Sequence, residues 1–193
     1  MFGSLIAFKN IDYSLGIFGS PWVGFENFRF LFATRDAWIA IRNTLSYNIV
    51  FIVTGPIISV AIALAFNELV NKRAAKLYQT LIILPHFVSF VVVSYLVYAF
   101  LATSSGFINT QVLPSLGQEP VRWYLEPDRW PLILFLVNGW KTWGFGTIIY
   151  IASMAGFNPE LYEAATIDGA SRWKQIWRIT LPQLLPMMML LFI

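Results

Sequence analysis

Few residues in this sequence could carry out covalent chemistry. The chain has no cysteine and one histidine, His86, so a metal site built on the usual His and Cys ligands lacks partners. It contains no HExxH, no GxSxG and no glycine-rich phosphate loop. His86 is interpreted as a packed or hydrogen-bonded residue, with a functional role as the alternative. The sequence therefore predicts a protein that is not an enzyme and holds no metal or cofactor of its own.

One ionisable side chain lies in the middle of an apolar stretch. Lys141 follows Asn138 by three residues and directly precedes Thr142, a spacing that places the three on one side of a helix. A charge at that depth costs about 3 kcal/mol unless it meets water or a polar partner. We interpret this face as a candidate translocation pathway; the alternative is that Lys141 snorkels to the outer surface. A second stripe of small residues suits close helix packing: Gly139, Thr142, Gly146 and Ser153.

A long polar segment, residues 158–182, lies between two apolar stretches and reads NPELYEAATIDGASRWKQIWRITLP. Asn158 can cap a helix, and Pro159 suits the first helical position. Gly169 can end that helix because it tolerates a left-handed turn. Ser171 can then cap a second helix. The segment thus predicts two helices joined by a glycine turn.

These two predicted helices present different faces. Ala164 and Ala165 share a face of the first helix with Leu161, and their small side chains would let another backbone approach closely. The second helix carries an apolar stripe: Trp173, Ile176 and Trp177. The dipeptide Leu181-Pro182 is predicted to end the second helix.

Composition places the chain in the membrane class. Hydrophobic residues make up 58% and charged residues 12%, whereas soluble domains average about 25% charged residues. The net charge of +3 forms no dense basic patch, so no nucleic-acid partner is expected. We predict one all-α, polytopic membrane domain over 1–193. Its spans are predicted at 38–66, 77–101 and 130–156, with a further span starting at 184–193.

Proline and charge add detail to these spans. Gly55-Pro56 and Pro85 predict bends in the first and second spans. Residues 67–76 hold three basic side chains against one acid, and residues 102–129 hold two against three. The first loop is therefore predicted to be cytoplasmic and the second external, which returns the polar segment to the cytoplasm. Ahead of the first span, Phe25 to Phe32 predicts either a short helix on the membrane surface or a connecting loop.

The polar segment resembles the EAA loop of ABC importer permeases. The resemblance is carried by Glu163-Ala164-Ala165, Gly169, Ile179 and Leu181-Pro182 at the family's spacing. The fuller text, LYEAATIDGASRWKQIWRITLP, is similar to maltose-type carbohydrate permeases in particular. The resemblance spans most of the chain and implies a type I permease core in the cell membrane of a prokaryote. It also implies that these seven residues couple the permease to an ATPase: Glu163, Ala164, Ala165, Gly169, Ile179, Leu181 and Pro182.

The same resemblance implies a function and partners. It implies the transmembrane subunit of an ATP-driven importer for sugars, oligosaccharides in particular, in which partner ATPase subunits use the ATP. The other implied partners are a second permease, an extracellular solute-binding protein, the sugar and the lipid bilayer. An importer for peptides, amino acids or polyol phosphates is the alternative. A membrane-embedded enzyme or channel is the alternative of a different class, and it would need a cluster of intramembrane His, Asp or Glu.

The final apolar run also bears on the length of the chain. As a helix, residues 184–193 would extend roughly 15 Å, half of a hydrocarbon core of about 30 Å. We therefore expect the sequence to be a fragment, truncated at both ends, with one helix before Met1 and further helices after Ile193.

Overall fold

The computed structural model describes residues 3–69 and 71–192, and their regular secondary structure is helical. Val70, within the predicted loop 67–76, and Ile193, the last residue of the predicted span 184–193, lie outside the described residues. The predicted all-α fold is confirmed.

The chain divides into two compact units after Ile49. The first unit begins with three short helices: α1 (Gly3–Ile6), α2 (Gly16–Gly19) and α3 (Glu26–Ala33). The sequence leaves the Phe25 to Phe32 segment open between a helix and a loop, and α3 shows that it is helical. Thr34 alone separates α3 from the long helix α4, which starts in this unit at Arg35.

Helix α4 runs from Arg35 to Asn67 and contains the predicted span 38–66. Its 33 residues correspond to about 50 Å at 1.5 Å per residue, more than the thickness of a hydrocarbon core. The helix continues through Pro56. The proline ring removes one backbone hydrogen bond, and a long helix can tolerate that loss.

The predicted span 77–101 is broken into two helices rather than gently bent. Helix α5 (Lys72–Ile83) leads into a 3₁₀ turn at Leu84–Phe87, and helix α6 (Phe90–Leu101) leaves it at an angle of 99°. Pro85 starts this turn, as its missing amide hydrogen allows. The hydroxyl of Ser89 then accepts a hydrogen bond from the Val92 amide and caps a new helix. The sequence prediction recognised the proline but not this cap.

The polar loop 102–129 is folded around one buried amide, that of Asn109. Its nitrogen donates to the carbonyl oxygens of Thr103 and Val121 at 3.0 and 2.8 Å. Its oxygen accepts from the Val121 amide and from the Trp123 indole at 3.2 and 3.0 Å. Because all four bonds are made, the amide can be buried without a large desolvation cost. Around it lie a π-helical turn, the short helix α7 and two 3₁₀ turns: Ile108–Val112, Leu113–Ser115, Trp123–Leu125 and Pro127–Arg129.

Helix α8 (Trp130–Met154) passes through the core of the second unit. Its residues Tyr150 and Met154 pack with Val60 and Ala63 of α4 and with Leu184. Among the described residues, α4 and Pro127–Met154 are long and apolar enough to cross a membrane, and α5 with α6 is a third candidate if the pair forms one span. A chain with several membrane-spanning helices follows from these lengths.

Two glycines of α8 allow other helices to approach closely. A Cβ atom on Gly144 would lie 1.9 Å from the carbonyl oxygen of Ile82 in α5. A Cβ atom on Gly146 would lie 2.8 Å from the hydroxyl of Ser59 in α4. That hydroxyl donates to the carbonyl oxygen of Trp143 at 3.1 Å, which fixes α4 against α8. The predicted small-residue stripe includes Gly146 but misses Gly144.

Candidate functional site

The polar segment 158–182 forms the predicted pair of helices. The side chain of Asn158 accepts a hydrogen bond from the Glu160 amide at 3.0 Å and caps helix α9 (Pro159–Ile167). Gly169 has a φ of 74°, which is the left-handed turn expected of it. Ser171 accepts from the Lys174 amide at 3.4 Å and caps helix α10 (Arg172–Gln175). The sequence therefore predicted the local geometry of this hairpin correctly.

Polar side chains brace the two arms of the hairpin against each other. The Gln175 amide nitrogen donates to the Thr166 hydroxyl at 3.1 Å and to the Ala170 carbonyl oxygen at 3.2 Å. Further along, the hydroxyls of Tyr162 and Thr180 are 3.0 Å apart. These bonds join groups 5 to 18 residues apart in the chain, so they hold the two arms of the hairpin together.

The hairpin is also tied to the end of α4. A guanidinium nitrogen of Arg172 donates to a carboxylate oxygen of Glu68 at 3.0 Å. The Arg172 side chain is 80% exposed, and ion pairs of this kind contribute only about 0–1 kcal/mol. The pair therefore orients the hairpin more than it stabilises it.

An open groove of about 740 Å³ lies between α4 and the hairpin. Polar side chains from both sides reach it, among them Asn67, Glu68, Glu163, Thr166 and Gln175. Apolar side chains such as Leu64, Ile167 and Ile176 also line the groove. This mixed and open surface suits contact with a protein side chain or helix better than burial of an apolar ligand.

The predicted coupling residues are divided between this exposed side and the core. Glu163, Ala164, Gly169 and Pro182 are exposed, and Ala165 and Ile179 are half-buried. Leu181 instead packs against the core of the second unit. The exposed members can meet a partner directly, whereas Leu181 contacts this chain. Their role in coupling stays a prediction.

The predicted end of the second helix at Leu181-Pro182 is wrong. Helix α10 continues through a π-helical turn at Ile176–Thr180 into helix α11 (Leu181–Phe192). In this wide turn the Leu181 amide donates to the carbonyl oxygen of Ile176, five residues back. The widened turn gives the Pro182 ring room that a regular helix would deny it, so the proline does not stop the helix.

The three residues predicted to line a pathway differ in burial and in hydrogen-bond partners. Lys141 is 8% exposed, and its ammonium donates to the carbonyl oxygens of His86 and Val88 at 2.8 and 2.6 Å. The Lys141 ammonium is therefore held by the backbone of the segment between α5 and α6, and it does not extend to a surface. Thr142 is exposed, and its hydroxyl donates to the Asn138 carbonyl oxygen at 2.8 Å within the same helix. The pathway role of all three stays a prediction.

Lys141 acts as a cap for carbonyl oxygens that the break leaves without helical partners. The ammonium also lies 4.7 Å from the ring centre of Phe90, at the start of α6. Charge-assisted hydrogen bonds and a cation–π contact together offset the cost of burying the lysine. The sequence places Lys141 in an apolar stretch, but it gives no sign of these partners 53 to 55 residues away.

His86 packs beside this break. Its ring stacks on Phe145, with centroids 4.4 Å apart and planes 11° apart. Its Nδ1 atom is buried and has no hydrogen-bond partner within residues 3–69 and 71–192. The predicted packing of the histidine is observed, in the form of an aromatic stack rather than a hydrogen bond.

Residues 55–193 match the family described as binding-protein-dependent transport system inner membrane component. The chain belongs to this family and is a multi-pass component of the inner membrane.

Individual relatives narrow the comparison. The chain is 37% identical to the protein LplB of Bacillus subtilis, over 94% of this chain and 57% of that one. It is 36% identical to the polygalacturonan/rhamnogalacturonan transport system permease protein YteP of the same organism, over 100% of this chain and 60% of that one. The structure is similar to that of a bacterial ABC transporter involved in the import of the acidic polysaccharide alginate. That match has a TM-score of 0.87 and 38% identity, and it covers 99% of this chain and 63% of that one. The chain thus spans about three fifths of these relatives.

Proposed function

We propose that this chain is the membrane-spanning subunit of an ATP-driven ABC importer for oligosaccharides. The observation that carries the proposal is the capped and braced hairpin at 158–182 in a chain that belongs to the inner-membrane family. A second permease, two ATPase subunits and an extracellular solute-binding protein complete the proposed assembly. ATP is hydrolysed in the ATPase subunits.

The substrate class is supported by the relatives. One is named for the transport of polygalacturonan and rhamnogalacturonan, and one solved structure is of a transporter for the acidic polysaccharide alginate. We therefore propose that carbohydrate oligomers are the substrates, with uronate-containing oligomers foremost. An importer for peptides, amino acids or polyol phosphates is the alternative. The uptake experiment below distinguishes it from an oligosaccharide importer.

Uptake of labelled oligosaccharides tests the substrate directly. Cells that express the full-length permease with its neighbouring transport genes are expected to accumulate uronate oligomers. Neutral malto-oligosaccharides of equal length are the matched comparison, and a peptide and an amino acid represent the alternative. Cells that lack the permease gene give the background. Accumulation of the peptide or amino acid, with no oligosaccharide above background, would contradict the proposal.

We propose that the hairpin transmits the state of the ATPases to the membrane helices. In this proposal Glu163 pairs with a basic residue of an ATPase, and Ala164 and Ala165 allow close seating. Since α10 continues into α11, a displacement of the hairpin tip moves α11. The exposed Arg172–Glu68 ion pair adds only a weak link to the end of α4. A partner can drive such a change only if its contacts differ between the two states. The Lys and Arg counts of the predicted loops 67–76 and 102–129 support a cytoplasmic location for the hairpin.

Substitutions in the hairpin are expected to uncouple uptake from ATP hydrolysis. Gly169→Val forces a β-branched residue into a left-handed conformation, at a cost of about 1–2 kcal/mol. Ala165→Leu holds the two surfaces apart, and Glu163→Lys places like charges together. Each variant is expected to retain less ATPase in detergent pull-downs and to take up less substrate per ATP hydrolysed.

Gly169→Asn is the matched control, because asparagine tolerates a positive φ better than valine does. It is expected to keep most of the coupling, since a Cβ atom there meets no described atom within 4 Å. Normal ATPase retention and uptake in all three disruptive variants would mean that the hairpin is only a linker.

A further inference from the structure

The first unit carries an exposed aromatic strip that the transport proposal does not use. The strip consists of Phe8, Phe25, Phe28, Phe32 and Trp38. Phe8, Phe25 and Phe28 form a cluster with ring centroids 5.3 to 5.9 Å apart. Phe32 and Trp38 form a pair at 6.3 Å. Phe28 and Phe32 lie four residues apart on one side of α3, and Phe25, the residue before the helix, extends this to the i, i+3, i+7 spacing of one helical face.

We propose that this aromatic strip is a lipid anchor that holds the first unit in the headgroup region of the bilayer. Three of its side chains are well exposed: Phe25 at 76%, Phe32 at 52% and Trp38 at 59%. Tryptophan favours the membrane–water boundary. Phenylalanine suits the apolar side of an amphipathic helix that lies in this boundary and leaves its polar side in water.

Chain continuity identifies lipid as the occupant. Helix α3 ends at Ala33 and the membrane-spanning helix α4 begins at Arg35, so a single residue separates the two. Trp38 lies in the first turns of α4, and its indole nitrogen donates to the carbonyl oxygen of Phe32 at 3.3 Å. The strip therefore ends in the first turns of the helix that carries the chain into the bilayer.

Two polar side chains of the first unit, Lys9 and Asn27, make hydrogen bonds within the unit, which suits an interfacial location. Lys9 is 5% exposed, and its ammonium donates to the carbonyl oxygens of Ile17 and Phe18, both at 2.9 Å. The Asn27 amide nitrogen donates to the carbonyl oxygens of Ala7 and Lys9, both at 3.0 Å. Backbone carbonyls that would otherwise need water thus have protein partners, which lowers the cost of entering a less polar layer.

Charge placement agrees with a headgroup location. Arg29, on the flank of the strip, and Arg35, at the start of α4, are both exposed. At the level of the lipid phosphates, exposed guanidinium groups can form charge-assisted hydrogen bonds with phosphate oxygens. The anchor depends neither on the transported solute nor on the ATPases, so it stands apart from the proposed function.

Fluorescence quenching by lipids tests the anchor. The sequence has no cysteine, so single cysteines can be introduced into the full-length permease and labelled with the environment-sensitive dye NBD in lipid nanodiscs. The strip is probed by Phe25→Cys and Phe32→Cys. The matched controls are Glu26→Cys and Ala33→Cys. Each lies at an exposed position directly after a probed phenylalanine and therefore on a different side of the helix. Phosphatidylcholine brominated near the headgroup end of the acyl chain is the quencher.

The anchor predicts quenching several-fold stronger at Phe25 and Phe32 than at Glu26 and Ala33. Equal and weak quenching at all four positions would overturn it. Purified binding protein, added to the same nanodiscs, supplies the second measurement. The anchor would also be overturned if lipid did not quench the NBD label at Phe25 and Phe32 but the binding protein shifted its emission. That result would assign the strip to a protein partner. Because the controls remove no aromatic ring, their signal reports the folded helix even if a strip variant is poorly folded.

Discussion

Gly144→Ala is expected to force α5 and α8 apart. The added Cβ atom would lie 1.9 Å from the carbonyl oxygen of Ile82 and 2.6 Å from its carbonyl carbon. Both are backbone atoms, so no side-chain rotation can relieve the overlap and the helices themselves must move. Overpacking of this kind typically costs about 1–3 kcal/mol and occasionally more. We expect a lower thermal unfolding midpoint for the purified permease and less folded protein in the membrane.

Gly55→Ala is the matched control for this substitution. Gly55 also lies within a membrane-spanning helix, but a Cβ atom there meets no described atom within 4 Å. Alanine is intrinsically favoured over glycine in a helix by about 1 kcal/mol, but its Cβ atom also crowds the ring of the following Pro56. The control is therefore expected to be close to neutral. Equal unfolding midpoints for Gly144→Ala and Gly55→Ala, by fluorescence-detected size exclusion after heating, would show that α5 and α8 are not in close contact.

Local features of the fold could be predicted from the sequence because they depend on neighbouring residues. The caps at Asn158 and Ser171 and the turn at Gly169 each involve atoms within three residues of one another. Long apolar stretches likewise show helices long enough to cross a membrane. For the two caps and the glycine turn of the hairpin, the type and spacing of residues were sufficient.

Contacts between distant parts of the chain could not be predicted in the same way. Arg172 meets Glu68 across 104 residues, and Lys141 meets the carbonyl of His86 across 55. In each pair, the sequence around one residue does not identify its partner, because the pairing depends on how the helices pack. Nothing in the sequence distinguishes Gly144 from other glycines in predicted helices. The structure shows that the backbone of α5 lies too close to Gly144 for a side chain to fit.

Two of the prolines that were expected to shape the chain show the same limit. Pro85 lies at a break of 99°, and Pro182 lies in a helix that continues. The difference comes from the surroundings. Ser89 restarts a helix in a new direction after Pro85, whereas a π-helical turn accommodates Pro182 without a change of element. Proline weakens the helical backbone at its own position, and the neighbouring residues decide whether the helix breaks or continues.

Lys141→Met is expected to destabilise the break between α5 and α6. The substitution keeps the length and apolar packing of the side chain but removes the donor to the carbonyl oxygens of His86 and Val88. Hydrogen bonds to charged groups contribute about 1.5–3 kcal/mol each, and an abandoned buried acceptor adds its own desolvation cost. We therefore expect a loss of at least about 2 kcal/mol in the free energy of unfolding, measured as a lower unfolding midpoint, with reduced uptake as a consequence.

A pathway role for Lys141 predicts a different outcome from this structural role. If the ammonium contacts the substrate, Lys141→Met changes substrate preference, above all for uronate oligomers, while the unfolding midpoint stays that of the unsubstituted protein. If it holds the break, the midpoint falls and uptake of every substrate falls together. Thr142→Val is the matched control, because the Thr142 hydroxyl donates only within α8 and its loss should cost about 1 kcal/mol or less. An unchanged midpoint in Lys141→Met, with altered preference among substrates, would contradict the structural role and restore the pathway.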